Sequence, residues 1–100
     1  MTKGADRSAL ICSVTRALWG EVGPNLRRVL AKDVDNQILL HFFFDGEPSD
    51  EDLESASVSA AEVISDYPDH ELSEEVIRCD APEMIRQEVG WLTIFARRER

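Results

Sequence analysis

The sequence predicts an α+β fold: a single domain over residues 1–100, ordered α-β-β-α-β-β, with a four-stranded, mostly antiparallel sheet and two helices on one face. Three observations predict it. Two stretches repeat apolar residues at helical spacing, four short runs read as strands, and 100 residues suffice for one small core.

The first helix is expected from Arg7 to Gly20. Leu10, Ile11, Val14, Ala17 and Leu18 fall on one face, while Arg7, Thr15 and Arg16 point away. Gly20 suits a left-handed stop, and Gly23-Pro24 forbids continuation. Leu26 to Asp33 reads as a strand. Asp35-Asn36 then supplies a turn, because both side chains tolerate left-handed backbone. Ile38 to Phe44, ILLHFFF, is the strongest strand. So short a continuous apolar run suits a central strand buried on both faces.

Asp45-Gly46-Glu47-Pro48 is a turn. Ser49 caps the second helix, with Asp52 as its capping-box partner. Leu53, Ala56, Ala60, Val63, Ile64 and Tyr67 form the apolar stripe of that helix, and Pro68 ends it. Glu51, Glu62 and Asp66 are expected opposite the stripe. Glu75 to Asp80 is a shorter strand, broken by Ala81-Pro82. Gly90 to Arg97 is the last strand. In it Leu92, Ile94 and Ala96 face one way and Trp91, Thr93 and Phe95 the other. The helices cover one sheet face. Trp91, Phe95 and one of Phe42 and Phe43 would then make the second face apolar. A second copy of the chain, a protein partner, or the protein's own loops and sheet twist could cover it.

Composition excludes several classes. Twenty acidic residues against eleven Lys and Arg give a net charge of −9, which argues against binding nucleic acid or an anionic membrane. No apolar run approaches the ~20 residues of a membrane span. The segment MTKGADRS shows no secretory signal, so a cytoplasmic protein is expected. Cys12 and Cys79 lack a second Cys or a His at ligand spacing and read as reduced, partly buried core residues. No metal and no cofactor are expected.

No catalytic residue is expected either. His41 lies inside LLHFFF and reads as a packed strand residue. His70, in PDHE, reads as a solvated turn residue. The nucleophile elbow, the phosphate loop and the dinucleotide fingerprint are missing. DGEPSDEDLE departs from a calcium loop, because Gly46 and Pro48 fall where ligands and chain direction need other residues. Arg27, Arg28, Lys32, Arg78, Arg97, Arg98 and Arg100 read as solvated strand edges that discourage aggregation.

The informative feature is the placement of the acids. Twelve lie between Asp45 and Glu75, a stretch with no Lys or Arg. The other 69 residues carry eight acids against eleven bases, a net of +3. The negative charge therefore belongs to the second helix and its flanks. Like charges repel within a screening length of about 8–10 Å, so a surface this one-sided costs some stability. It is either a solvated helix face or a docking surface for a basic partner.

RALWGEVGPNLRRV, from Arg16 to Val29, and FFFDGEPSDEDLE, from Phe42 to Glu54, resemble small bacterial immunity proteins of contact-dependent growth inhibition and related toxin systems. The resemblance covers most of the chain. It implies a non-enzymatic cytoplasmic protein that binds and blocks a cognate toxin domain, often a nuclease with a basic cleft. On that reading Asp45, Glu47, Asp50, Glu51, Asp52 and Glu54 are the foremost contact candidates, with Glu62 and Asp66 beside them. The expected function is thus an acidic binding protein that occludes a basic toxin cleft. The alternative is a non-enzymatic homodimer, structural or regulatory, joined through Trp91 and Phe95.

Overall fold

The computed structural model describes residues 6–99. Its elements are α1 (Arg7–Ala17), β1 (Leu26–Val34), β2 (Gln37–Phe44), α2 (Asp50–Ser65), β3 (Glu71–Arg78) and β4 (Leu92–Ala96). The sheet order is β3-β2-β1-β4. β1 pairs antiparallel with both β2 and β4, while β2 and β3 are parallel. A parallel neighbour needs a crossover, and α2 provides it.

Local chemistry explains most boundaries. Gly20 adopts φ +80° just beyond α1, a conformation that favours a residue without a Cβ. Asp35 and Asn36 both have positive φ, which gives the two-residue hairpin a twist matching its strands. Ser49 Oγ accepts from the Asp52 amide at 3.0 Å, and the Asp52 carboxylate accepts from the Ser49 amide at 3.0 Å. That capping box fixes the start of α2.

The main core lies between the helices and the sheet. Leu10, Val14 and Ala17 of α1 and Ala56, Ala60 and Val63 of α2 meet Val29, Ala31, Ile38, Leu40, Phe42 and Phe44. Both helices are rotated relative to the expected stripes. Ile11 is 37% exposed and Ser13 is buried in its place, because α2 packs on the Ser13 side of α1. Leu53 is 44% exposed, standing about 70° from the centre of the buried stripe. Cys12 is also corrected: it is exposed on the outer side of α1, while Cys79 is half-buried.

Two strands differ from expectation in length. β3 begins at Glu71, four residues before the expected Glu75. Its first half, Glu-Leu-Ser-Glu, has little strand propensity, and pairing along the whole of β2 imposes the conformation. β4 is shorter than Gly90–Arg97. A bulge opposite Val29 and Leu30 breaks its alternation. Phe95 therefore pairs with Val29 and joins the helix-side core rather than the second face.

The second face is covered by the chain itself. Ile85, in the segment between β3 and β4, is 7% exposed and packs with Leu30 and Phe43. Ile77, Cys79 and Trp91 pack around this smaller cluster.

Candidate functional site

The eight acidic candidates separate by what their carboxylates already hold. Asp45 sits where β2 turns toward α2. It accepts from Arg97 at 3.1 Å and from the Ala81 amide at 3.2 Å. Glu47 accepts from Arg78 at 3.3 Å, and the same guanidinium grips Asp80 at 3.0 Å through two nitrogens. Asp80 also receives the Gly46 amide at 2.7 Å. Its carboxyl is held below the usual carboxylate range, first by Arg78 and then by that amide. The Asp52 carboxylate accepts from the Ser49 amide as the capping-box partner of Ser49.

Asp66 departs from the expected position opposite the stripe. At the end of α2 it turns toward α1, accepting from Ser13 Oγ at 2.7 Å and Arg16 at 2.7 Å. The Ser13 hydrogen bond is the main cause of its lowered pKa, with Arg16 adding to it. Asp45, Glu47, Asp52 and Asp66 thus all have intramolecular work.

Asp50, Glu51, Glu54 and Glu62 are different. All four are exposed, and among the described residues none of their carboxylates accepts a side-chain hydrogen bond or joins an ion pair; the Ser65 hydroxyl donates to the Glu62 main-chain carbonyl only. At 100° per residue they fall on the solvent side of α2. Val58 lies among them, four residues from both Glu54 and Glu62, and is 38% exposed. Glu54 and Glu62 flank it about one turn away on either side, and Asp50 and Glu51 lie about two turns toward the start of the helix. Sequence reasoning passed over Val58 because it lies off the buried stripe. Its signal is position: an apolar side chain at i+4 from one glutamate and i−4 from another.

The acidic surface continues onto β3. Glu74 accepts from Ser57 Oγ at 3.3 Å, bridging helix and strand, while Glu71 and Asp69 are exposed. Glu75 lies 3.1 Å from His41 Nε2, and the His41 ring stacks at 4.3 Å on Trp91. Lys32 Nζ stands 5.7 Å from the Trp91 ring. His70 is not a solvated turn residue. Its side chain is 12% exposed, with Nε2 at 3.6 Å from Asp33 and the ring edge-on to Tyr67.

The basic residues are corrected too. Arg27 is buried rather than solvated, donating to Glu99 and to the carbonyls of Cys79 and Glu83. Arg78 and Arg97 neutralise the base of the acidic segment at Glu47 and Asp45. Arg28 and Lys32 are half-buried, Arg98 is exposed, and Arg100 lies outside the described residues. The unbalanced negative charge therefore sits higher on α2 and along β3. Among the described residues, no three His, Cys, Asp or Glu side chains form a metal-holding group. No described helix is long and apolar enough to cross a membrane.

Comparison with protein families gives one match over nearly the whole described chain: the sequence model of the MafI2 immunity protein fits residues 7–99. Among curated proteins no match is found. The fit spans both stretches that carry the sequence resemblance and all eight acidic candidates.

Proposed function

The chain belongs to the MafI2 immunity protein family, and from that premise we propose that it neutralises a toxin domain by presenting the outer face of α2 to a basic cleft. One observation carries the reading. Asp50, Glu51, Glu54 and Glu62 are exposed carboxylates with no intramolecular partner, and Glu54 and Glu62 flank the half-exposed Val58. Carboxylates held by a neighbouring arginine have already spent their attraction, whereas these four keep theirs for another molecule. In a basic cleft they would take the place of phosphates, and Val58 would supply an apolar contact between Glu54 and Glu62. The protein would act by occlusion, without catalysis or cofactor, in the bacterial cytoplasm. A nuclease is the toxin class whose cleft best fits such a surface, because its substrate is a polyanion.

Capture from source cells at low salt tests the proposal. The protein should retain a basic toxin domain, release it as salt rises, and abolish its toxicity on mixing. Retention of a partner that is acidic, or whose binding ignores salt, would overturn the electrostatic reading.

A further inference from the structure

The two edges of the sheet are built differently. β4 is five residues long and bulged. Bulges and short length are common ways of making an edge strand unsuitable for pairing with another chain. β3 is eight residues long and pairs with β2 in unbroken register from Glu71 to Arg78. It contains no proline, lysine or bulge.

The direction of its backbone groups is fixed at both ends. The Glu71 amide donates to the Asn36 carbonyl at 3.0 Å, and the Cys79 amide donates to the Phe44 carbonyl at 2.8 Å. Backbone groups alternate sides along a strand. The odd-numbered residues of β3 therefore face β2. The amides and carbonyls of Leu72, Glu74, Val76 and Arg78 face outward, and among the described residues none of them has a backbone partner across that edge.

Side chains on the helix side of this edge border a shallow groove of about 240 Å³ between α2 and β3, lined by Ser57, Ala60, Ala61, Ile64, Leu72 and Glu74. The small alanines leave room for the side chains of an added strand. Charge selects the occupant. Glu71, Glu74 and Glu75 lie within the strand and Asp69 just precedes it, with no Lys or Arg until Arg78. A second copy of β3 would set glutamates against glutamates, while a strand carrying Lys or Arg would meet opposite charge.

We infer that β3 is a docking edge for an extended basic segment of the toxin domain, which adds to the sheet as a fifth strand. The inference rests on the toxin-binding reading above and deepens it. The outer face of α2 attracts the basic domain, and β3 fixes its register through main-chain hydrogen bonds.

The test follows amide hydrogen exchange residue by residue. Two probes are used: the toxin domain captured at low salt, and a synthetic peptide as long as β3 that alternates Lys and Val. Added-strand pairing slows exchange at Leu72, Glu74, Val76 and Arg78 by about tenfold or more and leaves the odd-numbered amides near their free values. A matching Glu-Val peptide gives no protection. Glu74→Pro removes one outward amide without removing a bond to β2, and should weaken binding by about tenfold. Glu71→Lys with Glu74→Lys keeps every backbone donor, reverses the charge and should weaken binding to a similar degree. If the toxin domain is captured but neither probe protects alternate amides, the edge is not the docking site while the toxin-binding reading stands. If no toxin domain is captured and the Lys-Val peptide still protects them, the edge accepts a basic strand, but the toxin-binding reading fails and with it the toxin domain as the occupant.

Discussion

Arg27 and Glu99 form a two-pronged ion pair, with Nε and Nη2 of the arginine donating to the two carboxylate oxygens at 2.7 and 2.9 Å. The hydrogen bonds from Arg27 pull the Glu99 carboxyl down to about 2 against the opposing cost of desolvation, with Arg97 contributing further. A carboxyl depressed on folding stabilises the protein above its unfolded pKa and loses that effect as pH falls through its folded value. The contribution of Glu99 is therefore complete above pH 4.5 and lost toward pH 2. Urea unfolding of the protein and of Glu99→Gln should show it. The parent should lose more stability across that window than the variant, and parallel curves would mean that the pair has no role in acid stability.

The same guanidinium also donates to the Cys79 carbonyl at 2.7 Å and the Glu83 carbonyl at 2.9 Å. Arg27 thus joins β1, the segment over the second sheet face and the C-terminal residues. Replacing it with Met keeps much of the volume but leaves those carbonyls without their donor and Glu99 without its main partner. Arg27→Met should destabilise the protein by about 1–3 kcal/mol, the cost of leaving part-buried carbonyl acceptors without their donor. Chemical denaturation measures it, and a loss below about 0.5 kcal/mol would show that water replaces the guanidinium.

Ser49→Ala removes the side-chain acceptor of the capping box while leaving the core untouched. The expected loss is about 1 kcal/mol. Ser49→Asp, which restores an acceptor, should recover most of it. Thermal unfolding of the three proteins gives the comparison, and equal midpoints would leave the cap without energetic weight.

That cap was legible because its chemistry is local. The same holds for the Asp35-Asn36 hairpin, the Gly20 stop and the apolar run of β2, where each signal lies within a few residues of the feature it sets. Features decided by distant neighbours were not legible. The rotation of α1 that buries Ser13 and exposes Ile11 depends on Asp66, 53 residues away. The burial of Arg27 depends on Glu99, 72 residues away. The start of β3 is imposed by β2, and the inward turn of Phe95 by a bulge. In the candidate site, acidity was readable by counting. Which acids remain free was not, since Arg97, Arg78 and Arg16 are brought to Asp45, Glu47 and Asp66 only by the fold.

Ile85 closes the second sheet face over Leu30 and Phe43. Ile85→Ala should destabilise by about 2–4 kcal/mol through the cavity it leaves. Ile85→Asp should also free that face and promote self-association, visible as a concentration-dependent mass in light scattering. A variant that stays monomeric at every concentration would show that Leu30 and Phe43 remain covered without Ile85.

The division among the acids yields the sharpest separation of binding from stability. Asp45 spans Arg97 and the Ala81 amide, so Asp45→Ala should lower stability by about 1 kcal/mol. It should leave the rate of toxin association nearly unchanged. Glu51→Lys with Glu62→Lys breaks no side-chain hydrogen bond or ion pair among the described residues and should leave stability within about 0.5 kcal/mol. It changes the local charge by four units on the face turned to the partner. It should therefore slow association at low salt by about tenfold or more, with the difference shrinking as salt rises. Stopped-flow association measured against ionic strength reads both variants together. Were Asp45→Ala the one to slow association, the interface would lie at the β2–α2 turn, and the carboxylates around Val58 would be a solvated helix face.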